Sequence, residues 1–222
     1  MTEHDPIGEF RAPDRLTVVL IRHGQTEWNH TRRFLGKTDI PLDEVGKQQA
    51  CQLAERMAKR LDAAYTSPLK RASQTAAAHT DRAIAMRHLA ELDQGELEGL
   101  EAPQAIARFP KFFADWAKDP GDARPPGGEL FSACQARMTA ALGEVIERHG
   151  SGDVVGLFSH QMAISSLLCA VSHAPLREWR NFRLPNCGFS VLGIRDKSRF
   201  IVHHRKTVES LGINGGSGVP DV

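Results

Sequence analysis

The sequence predicts an α/β sandwich built on a mostly parallel sheet. Two continuous apolar runs, Leu16–Ile21 and Val154–Ser159, are typical of strands that are buried on both faces. Strand candidates alternate with segments in which apolar residues recur at helical spacing, and this alternation is the pattern of a parallel sheet covered by helices. The length of 222 residues fits one domain, or one domain with an inserted subdomain.

The first half of the chain supplies three strands and two helices. The first strand leads into a polar loop, after which Asp43 is a suitable N-cap for a helix whose apolar positions continue to Leu61. Ser67-Pro68 has the composition of a helix start, and this second helix is expected to reach about Asp81. The two further strands of this half are expected at Ala63–Thr66 and Ile84–Arg87.

The middle of the chain differs in composition from both ends. Residues 91–128 are rich in glycine and proline and hold too few apolar residues for a separate core, so we expect an inserted lid. Its short helices are expected at Gln104–Phe109 and Lys111–Lys118. The later elements alternate again, at Phe131–His149, Val154–Ser159, His160–Val171, Phe189–Ile194 and Phe200–His204. The folded domain thus covers residues 16–206, between a flexible lead-in (1–15) and a flexible tail (207–222).

Composition excludes several classes of partner. The chain has 28 Lys and Arg residues and 27 Asp and Glu residues, so its formal net charge is 28 − 27 = +1. A charge this small argues against a protein that binds nucleic acid or an anionic membrane through a broad basic surface. The four cysteines are scattered without metal-ligand spacing, as in reduced intracellular proteins. The N-terminus lacks the apolar region of a signal peptide, so we expect a soluble cytoplasmic protein. A homodimer is compatible with the sequence, but nothing in it supports one.

Two of the predicted strands end at a histidine. Leu16–Ile21 is followed by Arg22 and His23, and Val154–Ser159 is followed by His160. Ligands of open α/β sheets bind outside the carboxyl ends of the strands, so the two imidazoles are expected to meet at one ligand. A single loop histidine is more often a solvated side chain, but two at strand ends point to a site.

Two arginines indicate the chemistry of that ligand. Arg22 follows an apolar run and must therefore either reach solvent or pair with an anion. Arg71 lies early in a predicted helix, where a cation is unfavourable unless an anion is nearby, although surface arginines in a first turn are common. A bound phosphate at the strand ends accounts for both arginines and both histidines.

Six segments, in order, carry a family resemblance. They are RHGQTEWN at 22–29, GKTDIPLDEVGKQQA at 36–50, SPLKRASQTA at 67–76, ELDQGELEG at 91–99, PGGE at 126–129 and FSH at 158–160. The chain resembles the phosphoglycerate-mutase-like branch of the histidine phosphatase superfamily over residues 16–206. That resemblance implies a three-layer α/β/α sandwich with a mostly parallel central sheet.

The resemblance also implies roles for individual residues. His23 would be the nucleophile that accepts the phosphoryl group, and Glu91 would protonate the leaving oxygen and then activate water. Arg22, Arg71 and His160 would surround the phosphate, completing the expected catalytic set. The further phosphate contacts that the resemblance implies are Thr26, Asn29 and the backbone N–H of Gln161. No metal and no cofactor is required, because the arginines supply the positive charge.

Some positions depart from the family pattern. Gln161 stands where glycine usually follows the second histidine, and Leu35 stands where phosphatase members often carry a polar residue. These departures affect substrate selection rather than the core mechanism. The pair His203-His204 lacks a third ligand at suitable spacing, so a metal site is not expected there.

Three functions fit the motifs. The favoured one is a metal-independent phosphatase that hydrolyses a small phosphorylated metabolite through a phosphohistidine. The first alternative is phosphoryl transfer of the phosphoglycerate mutase type, which would need the intermediate kept dry. The second is a catalytically silent module that binds a phosphorylated ligand. The short segment between Gly99 and Gly127 favours the phosphatase, because mutases of the family usually carry a longer insertion there.

Overall fold

A computed structural model describes residues 11–57, 61–195 and 199–206, and for 199–206 the backbone alone. Within these residues a six-stranded sheet has the order β3-β2-β4-β1-β5-β6. The strands are β1 Leu16–Arg22, β2 Ala63–Thr66, β3 Ile84–Ala85, β4 Val154–Ser159, β5 Phe189–Arg195 and β6 Arg199–Lys206. Strands β1 to β4 pair in parallel, whereas β5 and β6 are antiparallel to their neighbours, which confirms the mostly parallel sheet.

Seven α-helices lie in the described part of the chain. They are α1 Glu27–His30, α2 Glu44–Met57, α3 Lys70–Ala77, α4 Ala102–Arg108, α5 Pro110–Lys118, α6 Phe131–Arg148 and α7 Gln161–Val171. Short 3-10 segments occur at Arg87–Leu89, Gly95–Leu97 and Leu176–Phe182. The predicted cap of α2 is present, because the Asp43 carboxylate accepts a 2.7 Å hydrogen bond from the Gly46 N–H.

The sheet is covered by helices on both faces. Val18 and Leu20 of β1 belong to the apolar cluster that contains the buried residues of α6 and α7. Val19 and Ile21 belong to a second cluster with α2 and α3. Side chains alternate between the two faces of a strand, so this split gives three layers, helices on either side of a central sheet. The three-layer α/β/α sandwich is confirmed.

The second predicted helix is shorter than the sequence indicates. Helix α3 begins at Lys70 because the residue before it, Leu69, is in an extended conformation, and it ends at Ala77 rather than Asp81. The N–H groups of His79 and Thr80 both turn back to the Ala76 carbonyl, so the chain leaves the helix there. The expected strand Ile84–Arg87 is likewise limited to two residues, because Arg87 starts a 3-10 turn.

The segment 91–128 packs through its own small apolar cluster. Leu97 and Ala105 are buried there against Phe34, and Phe113 of α5 packs on the same cluster. Residues 1–10 of the expected lead-in and the whole expected tail (207–222) lie outside the described residues. No helix in the described residues is long and apolar enough to cross a membrane.

Candidate active site

The two histidines lie side by side at the carboxyl ends of β1 and β4. The parallel register pairs Arg22 with Ser159, so the next residue of each strand, His23 or His160, leaves the sheet at the same level. The His23 N–H donates to the Ser159 carbonyl at 3.1 Å. The two imidazole centroids are 5.1 Å apart in an edge-to-face arrangement. The predicted convergence of His23 and His160 is therefore present in the structure.

The His23 ring is held as a neutral imidazole of one tautomer. Its Nδ1 lies 2.7 Å from the Gly24 carbonyl oxygen, which can only accept, so the proton is on Nδ1. Burial lowers the pKa of His23 well below its ordinary value, and the charges of Arg71 and Arg22 lower it further. The lone pair is therefore on Nε2 of a side chain that lines a cavity.

His160 is also neutral, but both of its nitrogens are engaged. Its Nδ1 accepts a 3.2 Å hydrogen bond from Arg71 Nε, and its Nε2 lies 2.8 Å from the Ser67 hydroxyl. Because Nδ1 accepts, the proton is on Nε2 and is donated to Ser67. Burial, assisted by the charge of Arg71, lowers the pKa of His160 well below its ordinary value. In this arrangement His160 fixes Arg71 and does not line the cavity.

Arg71 is buried behind the two imidazoles. Beyond His160, it donates to the Thr38 carbonyl at 2.9 Å and to the Gly36 carbonyl at 2.7 Å. Burial lowers its pKa to about 10, so the guanidinium remains charged at neutral pH. These contacts use three of its five N–H groups and place a fixed positive charge beside His23. Arg71 does not itself line the cavity.

The loop that Arg71 binds is organised by Glu98. The Glu98 carboxylate accepts 2.7 Å hydrogen bonds from the N–H groups of Lys37 and Thr38, and it also accepts from the Thr38 hydroxyl. Gly36 is required at this turn, because a Cβ there would lie 2.7 Å from the Leu92 carbonyl oxygen. The carbonyls of residues 36 and 38 are thereby aimed at the guanidinium.

Arg22 lines the cavity from the end of β1. It is 1% exposed, and its Nη1 donates to the Leu184 carbonyl at 2.6 Å. Burial lowers its pKa to about 10, so it too remains charged. The Leu184 N–H donates to Gln161 Oε1 at 2.7 Å, while Gln161 Nε2 donates to Ser165. Gln161 therefore lines the cavity and fixes the residue that holds Arg22, a side-chain role that the sequence did not indicate.

Glu91 lies against the N-terminus of α7. Its Oε1 accepts from the N–H groups of Leu92 at 2.8 Å and Ala163 at 3.0 Å, and its Oε2 accepts from Met162 at 3.2 Å. Burial raises the pKa of this carboxyl, although the three N–H donors and the charge of Arg71 oppose the shift. A carboxyl whose pKa is raised by burial is suited to deliver a proton within a cavity.

Arg137 of α6 fixes the segment that carries Glu91. Its guanidinium makes two 2.8 Å hydrogen bonds to the Glu129 carboxylate. It also donates to the carbonyls of His88, Ala90 and Glu91 at 2.8, 2.6 and 3.0 Å. Burial alone would lower the pKa of Arg137, but the Glu129 carboxylate raises it, so the guanidinium stays charged. No motif or spacing in the sequence indicates a role for Arg137.

Asn29 lines the cavity and is positioned by Thr26. The Asn29 side-chain oxygen accepts from the Thr26 N–H at 3.1 Å, from the Thr26 hydroxyl at 3.0 Å and from the Asn186 amide at 3.2 Å. The Asn29 amide N–H groups therefore remain as the donors for a ligand. Thr26 is fully buried as the N-cap of α1 and does not line the cavity. In the structure Thr26 thus positions Asn29, and its expected phosphate contact stays a prediction.

One cavity joins these groups. It is lined at the strand ends by Arg22, His23, Asn29, Glu91 and Gln161. The remainder of its wall is formed by Arg33, Phe34, Leu35, Gln94, Leu97, Phe112, Phe113, Trp116, Met162 and Trp179. The cavity therefore has a polar end with fixed positive charge and a remainder that is mainly apolar.

The structure places together most of the residues that the sequence predicted. It adds the polar residues Ser67, Glu98, Arg137 and Asn186, which position the site, and Arg33, Gln94 and an apolar wall, which line the cavity. Ser67 could have been found, because it follows β2 and so lies at the carboxyl end of a third parallel strand. Arg137 and Asn186 have no local signal, since they act through contacts with residues far away in the sequence. The side chains of His203 and His204 lie outside the described residues.

A neutral imidazole, a buried carboxyl group and fixed guanidinium charges around one cavity are the groups expected of an enzyme that acts on phosphate esters. The family comparison agrees. The sequence profile of the histidine phosphatase superfamily (branch 1) matches residues 18–207, and the chain belongs to this superfamily. It is an enzyme of the histidine phosphatase type.

Curated relatives have both phosphatase and mutase names. The chain is 30% identical to phosphoserine phosphatase 1 from Hydrogenobacter thermophilus over 190 residues, which cover 83% of this chain and 90% of that protein. It is 35% identical to a probable phosphoglycerate mutase from Enterobacter sp. (strain 638) over 182 residues, 79% of this chain and 83% of that protein.

The solved structure of a mycobacterial glucosyl-3-phosphoglycerate phosphatase complexed with VO3 is also similar. The TM-score is 0.77 with 27% sequence identity, and the match covers 86% of this chain and 98% of that one. The predicted resemblance to phosphoglycerate-mutase-like proteins is confirmed.

Proposed function

We propose that this protein is a phosphatase that hydrolyses a small-molecule phosphate monoester through a phosphohistidine at His23. The observation that carries the proposal is the state of that ring. It is neutral, its Nδ1 proton is held by the Gly24 carbonyl, and its unprotonated Nε2 belongs to a side chain that lines the cavity with Arg22 and Glu91. An imidazole in this state is ready to attack phosphorus.

The first step forms one bond and breaks one. Nε2 of His23 attacks phosphorus, the P–O bond to the organic group breaks, and the proton of Glu91 passes to the leaving oxygen. The ring gains positive charge as it is phosphorylated, and the Gly24 carbonyl bound to Nδ1 stabilises that charge. Arg22 and Asn29 bind the phosphoryl oxygens, and Arg71, held by His160, adds a fixed charge beside them.

The second step restores the enzyme. The Glu91 carboxylate takes a proton from water, the water oxygen attacks phosphorus and the P–N bond breaks. Inorganic phosphate leaves, His23 is again neutral and Glu91 is again protonated. One carboxyl thus serves as acid and then as base, which agrees with a pKa raised by burial.

Phosphoryl transfer of the mutase type is the second candidate. It is favoured by the similarity to a probable phosphoglycerate mutase. The short segment between Gly99 and Gly127 supports hydrolysis instead. A silent binding module is the least supported function, because the nucleophile, the acid and both arginines are all present.

A phosphate-release assay tests the proposal. We expect the purified protein to hydrolyse p-nitrophenyl phosphate, with activity retained in EDTA because the guanidiniums supply the charge. His23→Ala should abolish turnover with an unchanged circular dichroism spectrum. Incubation with 3-phosphoglycerate, with and without 2,3-bisphosphoglycerate, should form no 2-phosphoglycerate. Turnover by His23→Ala, or loss of activity on chelation, would contradict the mechanism.

A further inference from the structure

We infer that the substrate has an uncharged, apolar organic group of about the size of an aromatic ring. This inference rests on the proposed phosphatase function and concerns the part of the substrate that is released. It contrasts with the carboxylate-bearing esters named in the relatives, phosphoserine and phosphoglycerate.

The wall beyond the phosphate end of the cavity is mainly apolar. Eight of its residues have aromatic or aliphatic side chains: Phe34, Leu35, Leu97, Phe112, Phe113, Trp116, Met162 and Trp179. They come from four parts of the chain, which are the loop after α1, the segment 91–128, the start of α7 and the 3-10 segment 176–182. An apolar group placed here leaves water and gains dispersion contacts on several sides.

Helix α5 supplies an aromatic surface that can receive a ring. The Phe112 ring centroid lies 5.0 Å from that of Phe113 and 5.6 Å from that of Trp116. Trp116 is supported from behind by Phe131 at 5.6 Å, and Phe113 packs 6.1 Å from Phe34. These separations are those of favourable aromatic pairs, so a further ring from the substrate can join the cluster.

The surface is available to a ligand. Phe112 and Phe113 are only half-buried, as is Leu35 on the opposite loop, although all three line the cavity. Side chains that served only to pack the segment 91–128 against the rest of the domain would not leave apolar surface in the cavity that Arg22 and His23 also line. The exposed apolar area therefore belongs to the site.

The cavity offers little to a second negative charge on the substrate. Beyond the phosphate end, its cation is Arg33, whose Nη1 donates to the Gly99 carbonyl at 3.0 Å and whose Nη2 lies 3.7 Å from the Glu101 carboxylate. A substrate carboxylate would compete with Glu101 for this one guanidinium, in a wall whose other residues carry no positive charge. The neutral amide of Gln94 can bind a hydroxyl or carbonyl but does not balance a charge.

Leu35 is the residue that best tests this inference. It is half-buried, it lines the cavity, and no hydrogen bond of the catalytic groups depends on its side chain. Ile106 of α4 is a matched control, because it is 43% exposed and does not line the cavity. Leu35→Gln and Ile106→Gln make the same chemical change inside and outside the site.

The experiment compares kcat/KM for primary alkyl phosphates, whose leaving groups need the same proton. The probes are ethyl, butyl and 2-phenylethyl phosphate, with O-phosphoserine and 3-phosphoglycerate as the charged esters. Each buried CH2 group is worth about fourfold, so butyl phosphate, with two more CH2 groups, should exceed ethyl phosphate by about fifteenfold. The 2-phenylethyl ester should exceed both charged esters by at least about tenfold.

The two variants should then separate the site from the surface. Leu35→Gln should reduce the ratio of 2-phenylethyl to ethyl phosphate by about three- to tenfold, and Ile106→Gln should leave the ratio unchanged. Faster hydrolysis of O-phosphoserine or 3-phosphoglycerate than of 2-phenylethyl phosphate would overturn the inference while leaving the phosphatase function intact. Failure to hydrolyse any ester, including p-nitrophenyl phosphate, would instead overturn the proposed function.

Discussion

Replacement of Arg137 by methionine should uncouple the acid from the nucleophile. Arg137 donates to three carbonyls of the segment 88–91 and is itself bound by Glu129. Its replacement by methionine therefore frees the segment that positions Glu91. The nucleophile depends on different contacts, through Gly24 and Ser159. We therefore expect a loss in proton delivery and not in nucleophilic attack.

The size of the effect follows from the contacts. Breaking a largely buried ion pair costs about 3–5 kcal/mol, and Arg137 and Glu129 are 18% and 23% exposed, so we expect about 3 kcal/mol. In a domain of this size each kcal/mol lowers Tm by about 2–4 °C, which gives a fall of about 6–12 °C. Displacement of Glu91 by about 1 Å should slow alkyl phosphates by about 10²-fold.

The assay compares two leaving groups in Arg137→Met, measured below its Tm. Ethyl phosphate needs a proton from Glu91, whereas p-nitrophenyl phosphate hardly does, so only the ethyl ester should slow by about 10²-fold. Arg148→Met on the same helix is the control, because Arg148 is 55% exposed and its ion pair among the described residues is with Glu144, at 3.5 Å. Equal slowing of both esters would refute the positioning role.

Three further changes have defined outcomes. Glu91→Gln should slow ethyl phosphate about 10²–10⁴-fold. Because burial raises the pKa of Glu91, its contribution to stability is full below pH 4.5 and is lost as pH rises through the folded pKa. In urea unfolding, wild type should therefore lose stability relative to Glu91→Gln between pH 4.5 and 7. A difference in unfolding free energy that stays constant over this range would contradict the raised pKa. Arg71→Lys cannot keep all three hydrogen bonds and should lower kcat/KM about 10²-fold; full activity would show that the fork is unnecessary. Glu98→Gln places an amide N–H group against the N–H groups of the loop 36–38. This change should lower Tm by a few degrees and activity about tenfold. An unchanged Tm would contradict the role of Glu98 in holding the loop.

The sequence predicts the layers of the fold because burial on both faces leaves a direct signature. Leu16–Ile21 has one polar residue, Thr17, and its apolar side chains divide between two clusters on opposite faces of the sheet. Element ends are less predictable where a cap residue is missing. Helix α3 has no polar cap at either end, and its length is set by the strand before it and the turn after it.

The site is predictable where function and topology coincide. His23 and His160 could be found because each follows a buried strand, and parallel neighbours end at the same edge. Residues that act by long-range hydrogen bonds could not, since nothing local in the sequence distinguishes Arg137 from other basic residues. Thr26 shows that a motif position can have a structural role that the motif does not indicate, because its hydroxyl caps α1.

The most direct test of the mechanism is to locate the phosphoryl group. We would mix wild type and Glu91→Gln with p-nitrophenyl phosphate, quench in alkali, and map the modification by mass spectrometry and 31P NMR. The account predicts an acid-labile phosphoryl group on Nε2 of His23, which accumulates in Glu91→Gln because activation of water is slowed. A phosphoryl group on another residue, or rapid turnover without a phosphoenzyme in either protein, would contradict it.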